Sequence, residues 1–218
     1  MSYIALAGGK SLRLGRSKVS EIIDSGSLLE RIISCLSLFE GEIIVVKARE
    51  QSLPQLNKYS KLRVVTDIYP DKGPLGGIYT GLAESNSSYS LVVAGDMPFL
   101  NRTLLQYMIE ISPKFDLVVP RLGGMVEPLH AVYSKNCLAT IENLIEQNNL
   151  MVTRLLDLLK VRYVDTDEIN RFDPQHLSFF NVNTETDLEK ARKIIREENH
   201  RDPLRRVVQE GRWIGGIP

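Results

Sequence analysis

The sequence predicts an α/β protein whose mostly parallel sheet is covered by helices on both faces. Three observations carry this reading. Over the first 120 residues, short apolar runs alternate with segments whose apolar residues recur every three or four positions, the pattern of strands joined by crossover helices. The runs are continuous rather than alternating, as in Glu42-Ile43-Ile44-Val45-Val46, which marks strands buried on both sides. A glycine-rich basic stretch, Asp67 and Asp96 each stand just past the end of such a run. In open parallel sheets ligands gather outside those C-terminal strand ends, where the strand order switches. All three features are therefore expected on one edge.

Taken in order, Tyr3–Leu6 reads as the first strand. A helix is expected over residues 27–39, where Leu28, Leu29, Ile32, Ile33, Leu36 and Phe39 recur at helical spacing and Ser27 supplies the N-cap. Glu42–Val46 and Leu62–Thr66 are the second and third strands. The turn-rich stretch Tyr69–Gly77 leads into a helix ending about Ala83. Leu91–Ala94 is the fourth strand, Arg102–Ile111 a helix and Leu117–Pro120 the fifth strand. Arg121–Pro128 reads as a loop or hairpin before a strand over Leu129–Tyr133. Residues 135–147 and 152–159 read as helical, and Val161–Val164 and Phe179–Val182 as short strands. Thr184–Glu198 is a charged amphipathic helix with Leu188, Ala191, Ile194 and Ile195 on one face. Residues 1–199 are expected to form one domain and 200–218 a loosely held tail.

Composition excludes several classes. The chain has 218 residues, 43% hydrophobic and 25% charged, with a formal net charge of zero. That is ordinary globular composition, with no basic footprint for nucleic acid or an anionic membrane surface. No apolar run approaches the roughly 20 residues of a membrane span, and no secretory signal is visible. The two cysteines, Cys35 and Cys137, fit no metal spacing or disulfide framework. A reducing cytoplasm is the expected location.

The stretch Leu6–Lys18 holds three glycines, two lysines and two arginines in thirteen residues. Adjacent glycines bring backbone N–H groups close to a ligand, and cations beside them suit an anion such as phosphate. It is not a Walker A loop, because five residues separate Gly9 from Gly15 and Arg16-Ser17 follows. No Gly-x-Gly-x-x-Gly can be read either. Asp96, at a strand end, either caps the next turn or binds Mg²⁺. A basic phosphate loop on the same edge favours the metal, since a Mg–nucleotide site needs both parts. His130 lies in an apolar strand-like run and reads as a packed, hydrogen-bonded structural histidine. His176 and His200 read as surface residues.

Five motifs in order then carry a resemblance. They are Leu6-Ala7-Gly8-Gly9-x-Ser11-x-Arg13-x-Gly15-x-x-Lys18, Asp67 with Gly73-Pro74-Leu75-Gly76-Gly77, Asp96-Met97-Pro98-Phe99, Pro128–Tyr133 and Asn181–Thr184. Over about residues 3–195 the chain is similar to the MobA-like nucleotidyltransferases, and among them to the molybdenum cofactor guanylyltransferases. The resemblance implies a Rossmann-like mixed α/β fold of the nucleotide-diphospho-sugar transferase type. It implies transfer of GMP from GTP to the phosphate of molybdenum-molybdopterin, releasing pyrophosphate, with Mg²⁺ as cofactor. Molybdoenzymes or cofactor-delivery proteins would be its partners. Carried over by position, Leu6, Ala7 and Gly8 contact the nucleotide through backbone groups, Lys18 and Asp67 bind it, and Asp96 binds it and the metal. Arg13 and Lys18 would neutralise phosphate oxygens, with the N–H groups of Gly8 and Gly9 beside them. Asn181 and Asn183 would lie at the rim on the pterin side.

The chain departs from the family's pattern at Ser17, where an acidic residue is common, and near Lys47, where the family has an asparagine. It departs also at Gly95 and over Glu21–Ser27, which lacks the usual apolar run. The rival readings are a cytidylyltransferase on the same cofactor, a sugar-1-phosphate nucleotidyltransferase, and a GTP-binding regulatory protein without turnover. Leu6-Ala7-Gly8-Gly9 and the Gly73–Gly77 loop resemble the guanylyl side. Lys18 and Asp96 together argue for turnover.

Overall fold

The computed structural model describes residues 1–8 and 18–201, with side chains through Glu198. The elements run β1 (Ser2–Leu6), α1 (Leu28–Leu36), β2 (Glu42–Lys47), β3 (Leu62–Thr66), α2 (Gly73–Glu84), β4 (Tyr89–Ala94) and α3 (Arg102–Glu110). They continue with β5 (Leu117–Leu122), β6 (Met125–Val126), β7 (His130–Ser134), α4 (Cys137–Glu146), α5 (Leu155–Leu158), β8 (Val161–Asp165), α6 (Thr166–Ile169) and α7 (Glu185–Arg201).

One sheet holds all eight strands in the order β3-β2-β1-β4-β7-β5-β6, with β8 paired to β5. β1 to β4 are mutually parallel, and β8 is parallel to β5. The sheet is more mixed than the early rhythm suggests. β7 runs antiparallel between β4 and β5. The Gly123-Gly124 turn after β5, both residues at positive φ, starts the return through β6, so no crossover helix is needed there. The chain leaves β1 toward β2 and β3, then crosses back to β4 on the other side of β1. The order therefore switches between β1 and β4, which sets the ligand edge.

The period of two along the strands divides the core. Tyr3, Ala5, Ile43, Val45, Leu91 and Val93 pack with α1 and α3 on one face. Ile4, Leu6, Ile44, Val46 and Val92 pack with α2 and α4 on the other. Each valine, leucine or isoleucine among them taken fully out of water stabilises the fold by about 1.5–3 kcal/mol before entropy is counted. A third cluster places Leu188, Ala191 and Ile195 of α7 on Ile23, Leu28, Phe99 and Val182. So α7 covers the segment that leads out of the glycine loop.

Helix α1 starts where the cap requires. Ser27 Oγ accepts from the Glu30 amide at 3.2 Å, and Glu30 Oε2 accepts from the Ser27 amide at 2.8 Å. This reciprocal box stabilises the start by about 1 kcal/mol. The helix ends at Leu36, short of Phe39, which stacks on Tyr3 with ring centroids 5.3 Å apart.

The strand expected over Phe179–Val182 is absent. Leu177–Phe179 is a 3-10 turn. The Asp173 carboxylate accepts from the amides of Leu177 (3.2 Å) and Ser178 (2.8 Å), which satisfies locally the donors a ladder would need. Phe179 then packs on the His130 ring and Phe180 on Phe99. The tail beyond residue 201 lies outside the described residues. Among the described residues, no helix is long and apolar enough to cross a membrane.

His130 is fully buried as expected, but it is not hydrogen-bonded: neither ring nitrogen has a partner among the described residues. Burial pushes its pKa down to about 4, and Asp173 opposes this only in part. The unfolded chain takes up the proton near pH 6.5 and the folded chain only near 4, so this group's contribution to stability is lost across that window as pH falls. Between pH 7 and pH 5 the wild type should lose about 2 kcal/mol more than His130→Phe. Urea unfolding at both pH values measures this, and equal losses would contradict it.

Candidate active site

Backbone bonds join the C-terminal end of β1 to those of β4 and β2. Gly95 N donates to Leu6 O at 2.9 Å, and Ala7 N donates to Val46 O at 2.8 Å. Gly95 has a steric reason. A Cβ there would lie 2.8 Å from Leu6 O and 2.9 Å from a methyl of Val19. The missing side chain is thus the seat for Val19, which is buried in the core. Val19 directly follows Lys18, and Gly95 directly precedes Asp96, so this one packing contact registers the two charged residues.

Lys18 sits in a 3-10 turn, Lys18–Ser20. Its Nζ donates to Asn183 Oδ1 at 2.6 Å and lies 3.7 Å from Asp96 Oδ2. Val182 N donates to Asp96 O at 2.9 Å, which fixes the segment carrying Asn183 against the loop after β4. Asp187 Oδ2 accepts from the amides of Asn183 and Thr184, and Thr184 Oγ1 accepts from the Asp187 amide. The start of α7 thereby holds Asn183 in place. Three segments distant in sequence converge here on Lys18, Asp96 and Asn183. Asn181 does not join them; its amide donates to Phe179 O at 3.1 Å.

The side chains of Lys18 and Asp96 are 22% and 25% exposed, covered enough to strengthen their attraction and open enough to reach a ligand. Burial lifts the Asp96 carboxyl above its ordinary range, against the downward pull of Lys18. One ammonium does not fully offset the desolvation of this carboxylate. A further cation at Asp96 is electrostatically favoured.

The glycine-rich loop is placed in part. Leu6 ends β1 and is buried. Ala7 O accepts from Gln51 Nε2 at 2.7 Å, and Gln51 Oε1 accepts from Ala48 N at 3.2 Å. Gln51 thus ties the loop after β2 to the loop after β1. The Gly8 amide, expected at a phosphate, donates instead to Val46 O at 3.2 Å, because the β1–β2 pairing runs on past Leu6. What Gly8 provides is space: a Cβ there would meet only Ala48 N, at 3.6 Å. Gly9, Arg13 and Ser17 lie outside the described residues. Lys47, where the family pattern fails, donates to Gln51 O at 2.9 Å.

Asp67 lies at the end of β3, three strand spacings from β4, about 14 Å along the edge. It stands apart from the Lys18 cluster at a separation that an extended nucleotide bridges and a single ion does not. Its Oδ1 accepts from Tyr69 N at 3.0 Å and Thr80 Oγ1 at 2.9 Å. Two residues that hold this edge, Gln51 and Thr80, were not signalled by sequence. A polar side chain in an apolar helix, as at Thr80, was the one available hint.

Fold and site together define a mixed-sheet α/β protein with a paired lysine and carboxylate at its switch point. Residues 3–163 match the MobA-like NTP transferase domain, and the chain belongs to that family. A relative in Pelotomaculum thermopropionicum, named "Probable molybdenum cofactor guanylyltransferase", is 36% identical over 198 residues, covering 91% of this chain and 94% of the relative. The molybdenum cofactor guanylyltransferase of Syntrophotalea carbinolica is 35% identical over 195 residues, covering 88% and 90%. The crystal structure of molybdopterin-guanine dinucleotide biosynthesis protein A from Archaeoglobus fulgidus superposes with a TM-score of 0.78 at 26% identity, over 90% of this chain and all of that one.

Proposed function

We propose that this chain transfers GMP from GTP to the phosphate of molybdenum-molybdopterin, releasing pyrophosphate. The observation that carries the reading is the convergence of Lys18, Asp96 and Asn183 at the β1/β4 switch point, in a chain whose relatives bear that enzymatic name. The catalytic unit is residues 1–199.

Two anions must react. A phosphate oxygen of the acceptor attacks the α-phosphorus of GTP, the bond to the β-phosphate's bridging oxygen breaks, and pyrophosphate leaves. A phosphate monoester is already ionised near neutral pH, so the chain needs no general base and its work is positioning and charge compensation. Lys18 has three N–H donors. One is held by Asn183, and the others neutralise phosphate oxygens as charge moves to the leaving group. Arg13 and Gly9 serve the same phosphates. Asp67 binds the nucleoside end. Asn183 limits the swing of Lys18, and with Asn181 it borders the acceptor.

Mg²⁺ is the proposed cofactor, and Asp96 the residue that holds it. The donor set fits: a hard carboxylate, under-compensated by its one ammonium, suits a cation that takes one or two carboxylates together with substrate phosphates. Bound there, Mg²⁺ supplies Lewis-acid charge at the phosphates.

GTP labelled at the α-phosphate tests the reaction. With acceptor and Mg²⁺ present, the label should move into a pterin dinucleotide. Label recovered only as GDP or GMP would overturn the proposal.

A further inference from the structure

Asp67 alone would be a mobile loop carboxylate after an edge strand. It is not free to move. Its amide donates to Lys47 O at 2.8 Å, and its Oδ1 carries two donors, Tyr69 N and the Thr80 hydroxyl. Thr80 is fully buried on α2. Its Oγ1 also accepts from Ile68 N at 3.1 Å. One hydroxyl therefore satisfies a backbone donor and a carboxylate oxygen in the same loop, with its own proton on Asp67. The loop is pressed onto the helix beside it: a Cβ at Gly76 would lie 2.7 Å from Tyr69 O. Close packing places the loop, and the hydroxyl sets the carboxylate's rotation.

We infer that Thr80 is a positioning residue for donor binding. It fixes Asp67 with Oδ1 saturated from within the fold and Oδ2 left for N–H or O–H donors of the nucleoside. A carboxylate held in this way loses little rotamer entropy on binding, which is an affinity gain without a new contact. Thr80 is buried, and its hydroxyl bonds only Asp67 and the Ile68 amide among the described residues, so it acts on donor affinity and not on the chemical step. The inference rests on the reading of Asp67 as a nucleotide ligand.

Four variants test it in the full-length protein: Thr80→Val, which keeps shape and loses the hydroxyl; Thr80→Ser, which keeps the hydroxyl; Asp67→Ala; and the double variant Asp67→Ala with Thr80→Val. GTP affinity is measured by calorimetry, and KM and kcat in the transfer assay. Thr80→Val should raise Kd and KM for GTP about fivefold to tenfold, because Asp67 must then be ordered by the nucleotide itself, with kcat within about twofold. Thr80→Ser should bind GTP as the wild type does. In the Asp67→Ala background, Thr80→Val should add nothing to Kd, because the two act as one unit. If Thr80→Val does not fold, Thr80→Ala takes its place in each comparison. Unchanged Kd in Asp67→Ala would overturn the reading of Asp67. A weakened Asp67→Ala beside an unchanged Thr80→Val, a parallel fall in kcat, or full additivity in the double variant would overturn the role of Thr80 and leave that of Asp67 standing.

Discussion

Asp96→Asn should abolish nucleotidyl transfer, lowering kcat/KM by about a thousandfold or more, while the fold stays intact. Asparagine keeps the shape and removes the charge, so the proposed hold on Mg²⁺ and the pull on Lys18 should be lost together. Stability should move the other way. Burial raises the Asp96 carboxyl pKa above its unfolded value, so the ionised form is held less well in the folded chain than in water. By linkage, this group's contribution is present at low pH and lost as pH rises through the folded pKa. At neutral pH the neutral amide therefore removes a strained charge, and the thermal midpoint of Asp96→Asn should equal or exceed that of the wild type. A variant that turns over normally with Mg²⁺ sinks the catalytic assignment. A collapsed melting point with residual activity would recast Asp96 as a structural cap.

Lys18→Ala is the second large effect. It should remove about 2–4 kcal/mol of transition-state stabilisation, a loss on the scale of deleting an oxyanion donor, which is roughly thirtyfold to a thousandfold in kcat/KM. The loss should appear mainly in kcat, because the charge it offsets develops as pyrophosphate departs. Arginine should restore little. Its planar fork is a different shape from the ammonium now held 2.6 Å from Asn183. Steady-state kinetics of the two variants checks this, and a change confined to KM would contradict it.

Legibility followed physical range. Strands β1 to β4 were plain because buried parallel strands are continuous β-branched runs, and a strand end can be read from the sequence around it. The candidate site was legible to the same degree. Asp67, Asp96 and the glycine loop announce themselves by their places after strands. The Lys18–Asn183 contact joins residues 165 positions apart, and no local pattern encodes it. The seat of Val19 on Gly95 is equally silent, since a glycine beside an aspartate reads as an ordinary turn. Phe179–Val182 has strand-like residues, yet Asp173 binds the local amides first. The burial of His130 is legible in its apolar neighbours, but that neither ring nitrogen has a partner among the described residues is not, nor is the packing of the distant Phe179 on its ring.

Guanylyl transfer at the Lys18–Asp96 pair is tested most directly by pyrophosphate release measured with each of the four nucleoside triphosphates. With Mg²⁺ and molybdenum-molybdopterin, GTP should release pyrophosphate at least about a hundredfold faster than CTP, ATP or UTP, a discrimination within reach of hydrogen-bonded base recognition. The signal should vanish when acceptor is omitted or Asp96 is replaced. Equal or faster release from CTP, or release from GTP that ignores the acceptor, would contradict guanylyl transfer by this chain.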